Sequence, residues 1–209
     1  MVRVYHEQPG HDGIASRTFG PLARFDPHVR DAHQRPREDP QGRGVRYLAA
    51  DLATALAESY PGQWPEVSIC PHTRAAWVCP PAPVALLDLS GEGALAIGAT
   101  GTLQWGDEPR RRTQRWGRRI YEQYSHLEGI RYQAAHQGGE CAVLWKRAPT
   151  LQRLPGGDRK LWAVWSRVAT ALAGQRRAPR RIEAAECRRC RETGLSTKKR
   201  GRQKGTSAQ

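Results

Sequence analysis

VRYLAADLATALAESYPG, residues 45–62, is the stretch that decides the fold. Val45-Arg46-Tyr47-Leu48-Ala49 reads as a strand leading to Asp51, whose side chain suits the N-cap of a helix over 52–60 made largely of Ala, Leu and Thr. Pro61-Gly62 ends that helix. A strand running straight into a capped helix predicts an α/β domain. Glu58 sits near the helix C-terminus, where the helix dipole disfavours a carboxylate, so its presence needs either solvent or a purpose.

Working towards the N-terminus, residues 28–44 are rich in Pro, Arg, Asp and Gln without apolar periodicity, which predicts a long surface loop or lid. Before it, FGPLARFD (19–26) places Arg24 beside Phe25, and Val2-Arg3-Val4-Tyr5-His6 alternates as a short strand would. Working towards the C-terminus, Trp77-Val78 and the run 84–89 are strand candidates broken by Pro80, Pro81 and Pro83. Pro109 opens a helix with Trp116, Ile120 and Tyr124 at i, i+4, i+8 and arginines on its other sides. Ile130-Arg131-Tyr132 and the strand 141–145 form a hairpin around Gln137-Gly138-Gly139-Glu140. Asp158 is read as the cap of a last helix whose stripe Leu161, Trp165, Val168, Leu172 docks on the domain.

Composition narrows the function classes. A chain of 209 residues accommodates one domain of about 150 residues and an appendage. Seven Trp and six Tyr against two Phe imply an interior whose aromatic tips need polar partners. From Gln175 onward twelve Lys and Arg face only Glu183, Glu186 and Glu192, so the tail carries +9 of the net +14. The body is therefore weakly basic, and the tail reads as disordered and solvated, with a nonspecific nucleic-acid contact through Lys198-Lys199-Arg200-Gly201-Arg202-Gln203-Lys204 as the sharper alternative. MVRVYHEQPG lacks a signal-peptide apolar run, no stretch approaches the roughly 20 apolar residues of a membrane span, and the five cysteines show no secreted spacing. The expectation is a reduced, cytoplasmic protein. The tail's Cys187-Arg-Arg-Cys190 offers two of the four ligands zinc needs; no second pair follows, and Cys70 or Cys79 could complete a set only by folding back. His6, His28, His33, His72, His126 and His136 lack metal-ligand spacing, so no metal ligands are assigned.

The order of VYH at the start, FGPLARFDP, GRGVRYLAADLATALAE, LDLSG, RRRTQRWGRRIYEQYSHLEGIRY and CAVLWKRAP resembles the RES-domain family over about residues 2–150. That resemblance implies an ADP-ribosyltransferase-like fold, a mixed α+β sheet with flanking helices. Together with the apolar stripe and the composition beyond it, the resemblance divides the chain into a RES-like domain at 1–150, a docking amphipathic helix at 151–175 and a basic, mostly disordered tail at 176–209 with one CxxC. It also implies a toxin of a type II toxin–antitoxin pair that takes NAD as substrate, needs no cofactor, and has an Xre-type antitoxin as partner; a homodimer stays open.

The chemistry assigns roles by residue type. Breaking the nicotinamide–ribose bond passes through an oxocarbenium-like state that a carboxylate stabilises, which falls to Glu58. Guanidinium groups match a two-phosphate bridge, a role for Arg24 and Arg3. Tyr47 offers an aromatic face for the nicotinamide ring. The family's serine lies two residues after the tyrosine of its GxxY-x-S segment, and here Tyr132-Gln133 is followed by Ala134, with Gln133 and His136 as substitutes in the same substrate-binding loop. A catalytically silent homologue that binds a nucleotide or a protein partner is the alternative that Ala134 favours.

Overall fold

Alternating segments pair into one sheet and capped segments coil against it in the computed structural model, which describes residues 1–10, 12–105, 108–136 and 138–196. The N-terminal part comprises β1 (Val2–His6), β2 (Phe19–Gly20), β3 (Arg37–Glu38), β4 (Val45–Ala49), α1 (Leu52–Ser59), β5 (Glu66–Ile69) and β6 (Thr73–Cys79). The middle comprises β7 (Leu86–Asp88), α2 (Gly93–Ala96), α3 (Thr102–Trp105), α4 (Arg110–Gln123), β8 (Gly129–Gln133) and β9 (Glu140–Trp145). The chain continues through β10 (Gln152–Lys160), α5 (Trp165–Ala173), β11 (Ala178–Arg181) and α6 (Arg188–Glu192).

Seven strands form a mixed sheet in the order β10-β6-β1-β4-β9-β8-β7, antiparallel except for the β7–β8 pair. Asp51 caps α1 as expected, accepting the Thr54 amide at 2.7 Å. One face of the sheet carries the larger core, where Val45, Tyr132, Val143 and Trp145 pack with Leu56 of α1, Ile120 of α4 and Val168 and Leu172 of α5. A fully buried residue such as Leu56 or Ile130 contributes about 1.5–3 kcal/mol, so this face dominates stability. The other face holds a smaller cluster around Leu48, Ala76, Val78 and Leu144. No described helix is long and apolar enough to cross a membrane.

Three expectations are corrected. Asp158 does not cap a helix: it lies in β10 and binds Tyr5, Arg74 and Arg153, while a 3₁₀ turn at Leu161–Val164 leads into α5. The 151–175 unit is therefore an edge strand followed by a helix, and α5 docks on α1 and the core. Residues 28–44 are not a free lid. His28, Asp39 and Arg43 are buried, β3 pairs with β2, and Asp39 accepts the amides of Val29, Gln41 and Arg43. Asp39 and the Arg43 guanidinium, which donates to the Pro27 carbonyl and to Glu122, are satisfied internally, while residues 32–35 stay exposed as a surface loop would.

The basic tail is ordered further than its composition implied. β11 pairs in parallel with β5, and Arg177 donates to the Gln63 and Tyr60 carbonyls at 2.8 and 2.6 Å, just beyond the end of α1. Arg181 lies over the rings of Trp162 and Trp165. These arginines spend their charge on carbonyls and aromatic faces that composition cannot reveal. The run Lys198-Lys199-Arg200-Gly201-Arg202-Gln203-Lys204 lies outside the described residues.

Candidate functional site

The segment after β2 is organised by a carboxylate that sequence reasoning passed over. Asp26 is 0% exposed and accepts Arg17 Nη2 at 2.8 and 3.0 Å, the amides of Leu22 and Ala23 at 2.6 and 3.1 Å, and the Tyr47 hydroxyl at 2.6 Å. A buried carboxylate persists only with such a set of donors. Burial pushes the Tyr47 phenol well above its usual range and the neighbouring Asp26 pushes it further, so it remains a protonated donor. Phe25, fully buried, turns through the left-handed region at φ 42° between Arg24 and Asp26. Helix α4 fixes this turn from behind: Gln114 donates to the Ala23 carbonyl at 3.0 Å, and Gly117 lies so close that a Cβ there would stand 2.5 Å from the Phe25 carbonyl carbon and oxygen.

Arg24 and Glu58 meet at the end of β8. The Arg24 guanidinium donates to the Gln133 carbonyl at 3.3 Å and the Leu103 carbonyl at 3.0 Å, and lies over the rings of Phe25 and Tyr132 at 5.1 and 5.2 Å. Glu58, on the last turn of α1, accepts the His136 amide at 3.3 Å. Tyr47 closes the chain by donating to the Arg24 carbonyl at 3.3 Å. Tyr132 and Cys141, a register pair of β8 and β9, lie within the fields of both Arg24 and Glu58. Burial pushes the Tyr132 phenol well above its usual range and the Cys141 thiol up to about 12; nearby Glu58 adds to both and Arg24 opposes. Both groups therefore stay neutral and add no negative charge beside Glu58.

The predicted residues are thus brought together with one exception. Arg24, Tyr47, Glu58, Tyr132, Gln133, Ala134 and His136 form one neighbourhood linked by hydrogen bonds and packing. Arg3 is elsewhere: along β1, Val2 and Val4 pack into the core that holds Tyr47, so alternation puts Arg3 with Tyr5 on the opposite sheet face. There it donates to the Ala15 carbonyl at 3.2 Å, and burial together with Arg17 and Arg46 pulls its guanidinium down to about 10. Tyr47 also differs from expectation in use, because its hydroxyl is committed to Asp26 and its ring packs against the core. Ala134 is 3% exposed, and its backbone pairs with Gly139 and Gly138 to close the hairpin. Gln137, part of that predicted turn, lies outside the described residues.

A cavity of about 300 Å³ opens beside the end of α1, lined by Ala57, Tyr60, Trp64, His136, Gln175 and Arg177. That is the lower end of the range for small-ligand pockets. Trp64, 70% exposed, presents an indole at its rim. A second cavity of about 280 Å³ lies along α4 between Ile97, Trp116 and Tyr124. Asp26, Arg17, Cys141 and Trp64 are the residues of this region that the sequence did not single out. Asp26 stands within the quoted FGPLARFDP, but nothing in a sequence distinguishes a buried carboxylate from a wet one.

Fold and site together define a mixed α/β domain in which a strand–helix unit and a buried carboxylate turn present an arginine and a glutamate to one strand end. The RES domain matches residues 4–166, and the chain belongs to the RES-domain family. The match extends through β10 into α5, beyond the 2–150 expected, because the edge strand belongs to the sheet. Among solved structures, the crystal structure of the M. tuberculosis MbcT–MbcA toxin–antitoxin complex contains a chain with a similar fold, at 17% sequence identity and a TM-score of 0.50, covering 79% of this chain and 88% of that one. No curated protein matches the sequence.

Proposed function

We propose that this chain consumes NAD by cleaving its nicotinamide–ribose bond, with water or phosphate as acceptor, and that it is the toxin of a pair neutralised by an Xre-type antitoxin. The observation that carries the reading is that Arg24 and Glu58 bind the backbone of one hairpin, at Gln133 and at His136 just beyond the end of β8, and that His136 also lines a cavity edged by an exposed indole. Membership of the RES family and the fold shared with a toxin–antitoxin chain support it. In the reaction the bond between C1′ of the ribose and the pyridine nitrogen breaks, its electron pair leaves with nicotinamide, and the acceptor oxygen bonds to C1′. Glu58 stabilises the positive charge that develops on the ribose, and Arg24 supplies cationic field for the two phosphates. Trp64 offers the exposed ring face that Tyr47, packed into the core, does not.

A second reading, binding without turnover, is favoured by Ala134, a buried methyl where the family carries a serine. One experiment separates the two. The protein is incubated with NAD, with and without inorganic phosphate, and free nicotinamide is followed by chromatography. Wild type is expected to release nicotinamide, Glu58→Ala to be slower by about 10²–10³-fold, and Ala134→Ser to be faster. Equal, background-level release by wild type and Glu58→Ala rejects turnover, and calorimetric titration with NAD then tests binding alone.

A further inference from the structure

On the far side of the end of α1, four soft or borderline ligand groups converge from distant parts of the chain. His6 ends β1, Cys70 follows β5, and Cys187 and Cys190 bracket the start of α6. One ligand atom from each lies within 4.8 Å of every other. His6 Nε2 is 3.2 Å from Cys190 Sγ and 4.0 Å from Cys187 Sγ, and Cys190 Sγ is 3.6 Å from Cys70 Sγ. Tetrahedral zinc, with bonds of about 2.3 Å to sulfur and about 2.0 Å to nitrogen, places sulfurs about 3.8 Å apart and nitrogen about 3.5 Å from sulfur. The observed spacings bracket those values.

The surroundings complete the arrangement. His6 Nδ1 lies 2.9 Å from the Glu7 carbonyl, which can only accept, so the ring proton is on Nδ1 and the Nε2 lone pair faces the sulfurs. His6, Cys70 and Cys190 are buried and Cys187 is half-buried. Three thiolates and a neutral imidazole around Zn²⁺ leave one negative charge, and the guanidinium of Arg189 stands within its field.

We propose that His6, Cys70, Cys187 and Cys190 form a structural zinc site that fastens residues 176–196 to the sheet. Four protein ligands leave no open position for water or substrate, so the metal here is a cross-link. It ties β1, β5 and α6 together immediately behind the Arg177 contact that closes α1. The sequence reading assigned no metal because the CxxC lacked a second pair; the missing ligands arrive singly, His6 from 184 residues before Cys190 and Cys70 from 120 residues before it.

The test uses the full chain, purified under reducing conditions, with zinc measured directly and then removed and retitrated with Zn(II) and with Co(II) as a spectroscopic probe. The expected result is one zinc per chain and the thiolate charge-transfer and d–d bands of a tetrahedral cobalt site. Cys70→Ser, Cys190→Ser and His6→Ala should each weaken zinc binding by at least about tenfold. Cys79→Ser and Cys141→Ser should bind as wild type. Should a ligand variant fail to fold, the wild-type cobalt spectrum still decides. Absence of zinc uptake by reduced wild type, a cobalt spectrum without thiolate bands, full retention by the ligand variants, or a persistent Cys70–Cys190 disulfide in zinc-treated protein overturns the proposal. None of these readouts depends on NAD.

Discussion

Asp26 has no contact with water, and its charge is held by one guanidinium, two amides and one phenol. Tyr47 is the member of that set that also reaches the Arg24 carbonyl, so a single hydroxyl couples the buried carboxylate to the site arginine. Tyr47→Phe keeps the ring and removes only the donor. A hydrogen bond to a charged group contributes about 1.5–3 kcal/mol, and that loss is expected in urea unfolding because no solvent can replace the phenol. An unchanged midpoint would show that Arg17 and the two amides suffice. Arg24, Tyr47 and Glu58 were legible because the family pattern fixes their order along the chain, whereas Asp26 acquires its role only from the fold around it. Arg3 shows the converse limit: period-2 alternation is visible in the sequence, but which face of β1 meets α1 is set by tertiary pairing.

Helix α4 meets the Arg24 turn through the one residue without a side chain at that contact, Gly117. Helix propensity alone makes Gly117→Ala stabilising by about 1 kcal/mol. The added Cβ, however, would sit 2.5 Å from the backbone carbonyl of Phe25, in a turn already at positive φ, where no flexible side chain can give way. Overpacking of this kind costs about 1–3 kcal/mol, so the net effect is expected to be destabilising. A raised thermal midpoint would show that the two elements have slack between them. The elements that were legible, β4, α1, α4 and the β8–β9 hairpin, carry their signals locally, in Asp51, Pro109 and the apolar spacing. β10 does not: its QRLPGGDRK has no strand alternation, and it becomes a strand through pairing with β6 and through Asp158. β11 is similar, since APRR has no strand pattern and is ordered by β5 and by stacking of Arg181 on two tryptophans.

The whole molecule is strongly cationic, with 34 Lys and Arg against 20 Asp and Glu, so the acid limb of its stability curve should be steep. Glu7, Asp88 and Asp158 make it steeper. Burial alone would raise all three carboxyls, but hydrogen bonds from His72 and Arg74 to Glu7, from Ser90 to Asp88, and from Arg74 and Tyr5 to Asp158 hold each below its ordinary value. A carboxylate whose folded pKa is depressed stabilises the fold fully above the ordinary carboxylate range, about pH 4, and loses that contribution as pH falls through the lower folded value. The same titration removes the charges that offset the arginines, so repulsion grows as the pairs break. Asp158 is the sharpest place to test this, because Tyr5 of β1, Arg74 of β6 and Arg153 of β10 converge on it across three adjacent strands. Urea midpoints are expected to be flat between pH 7 and 5 and to drop steeply below about pH 4, with Asp158→Asn lower at neutral pH and converging on wild type in acid. Parallel curves separated by a constant offset would assign the loss in Asp158→Asn to packing at the sheet edge, and the linkage of these strands to pH would then have to rest on Glu7 and its partners His72 and Arg74.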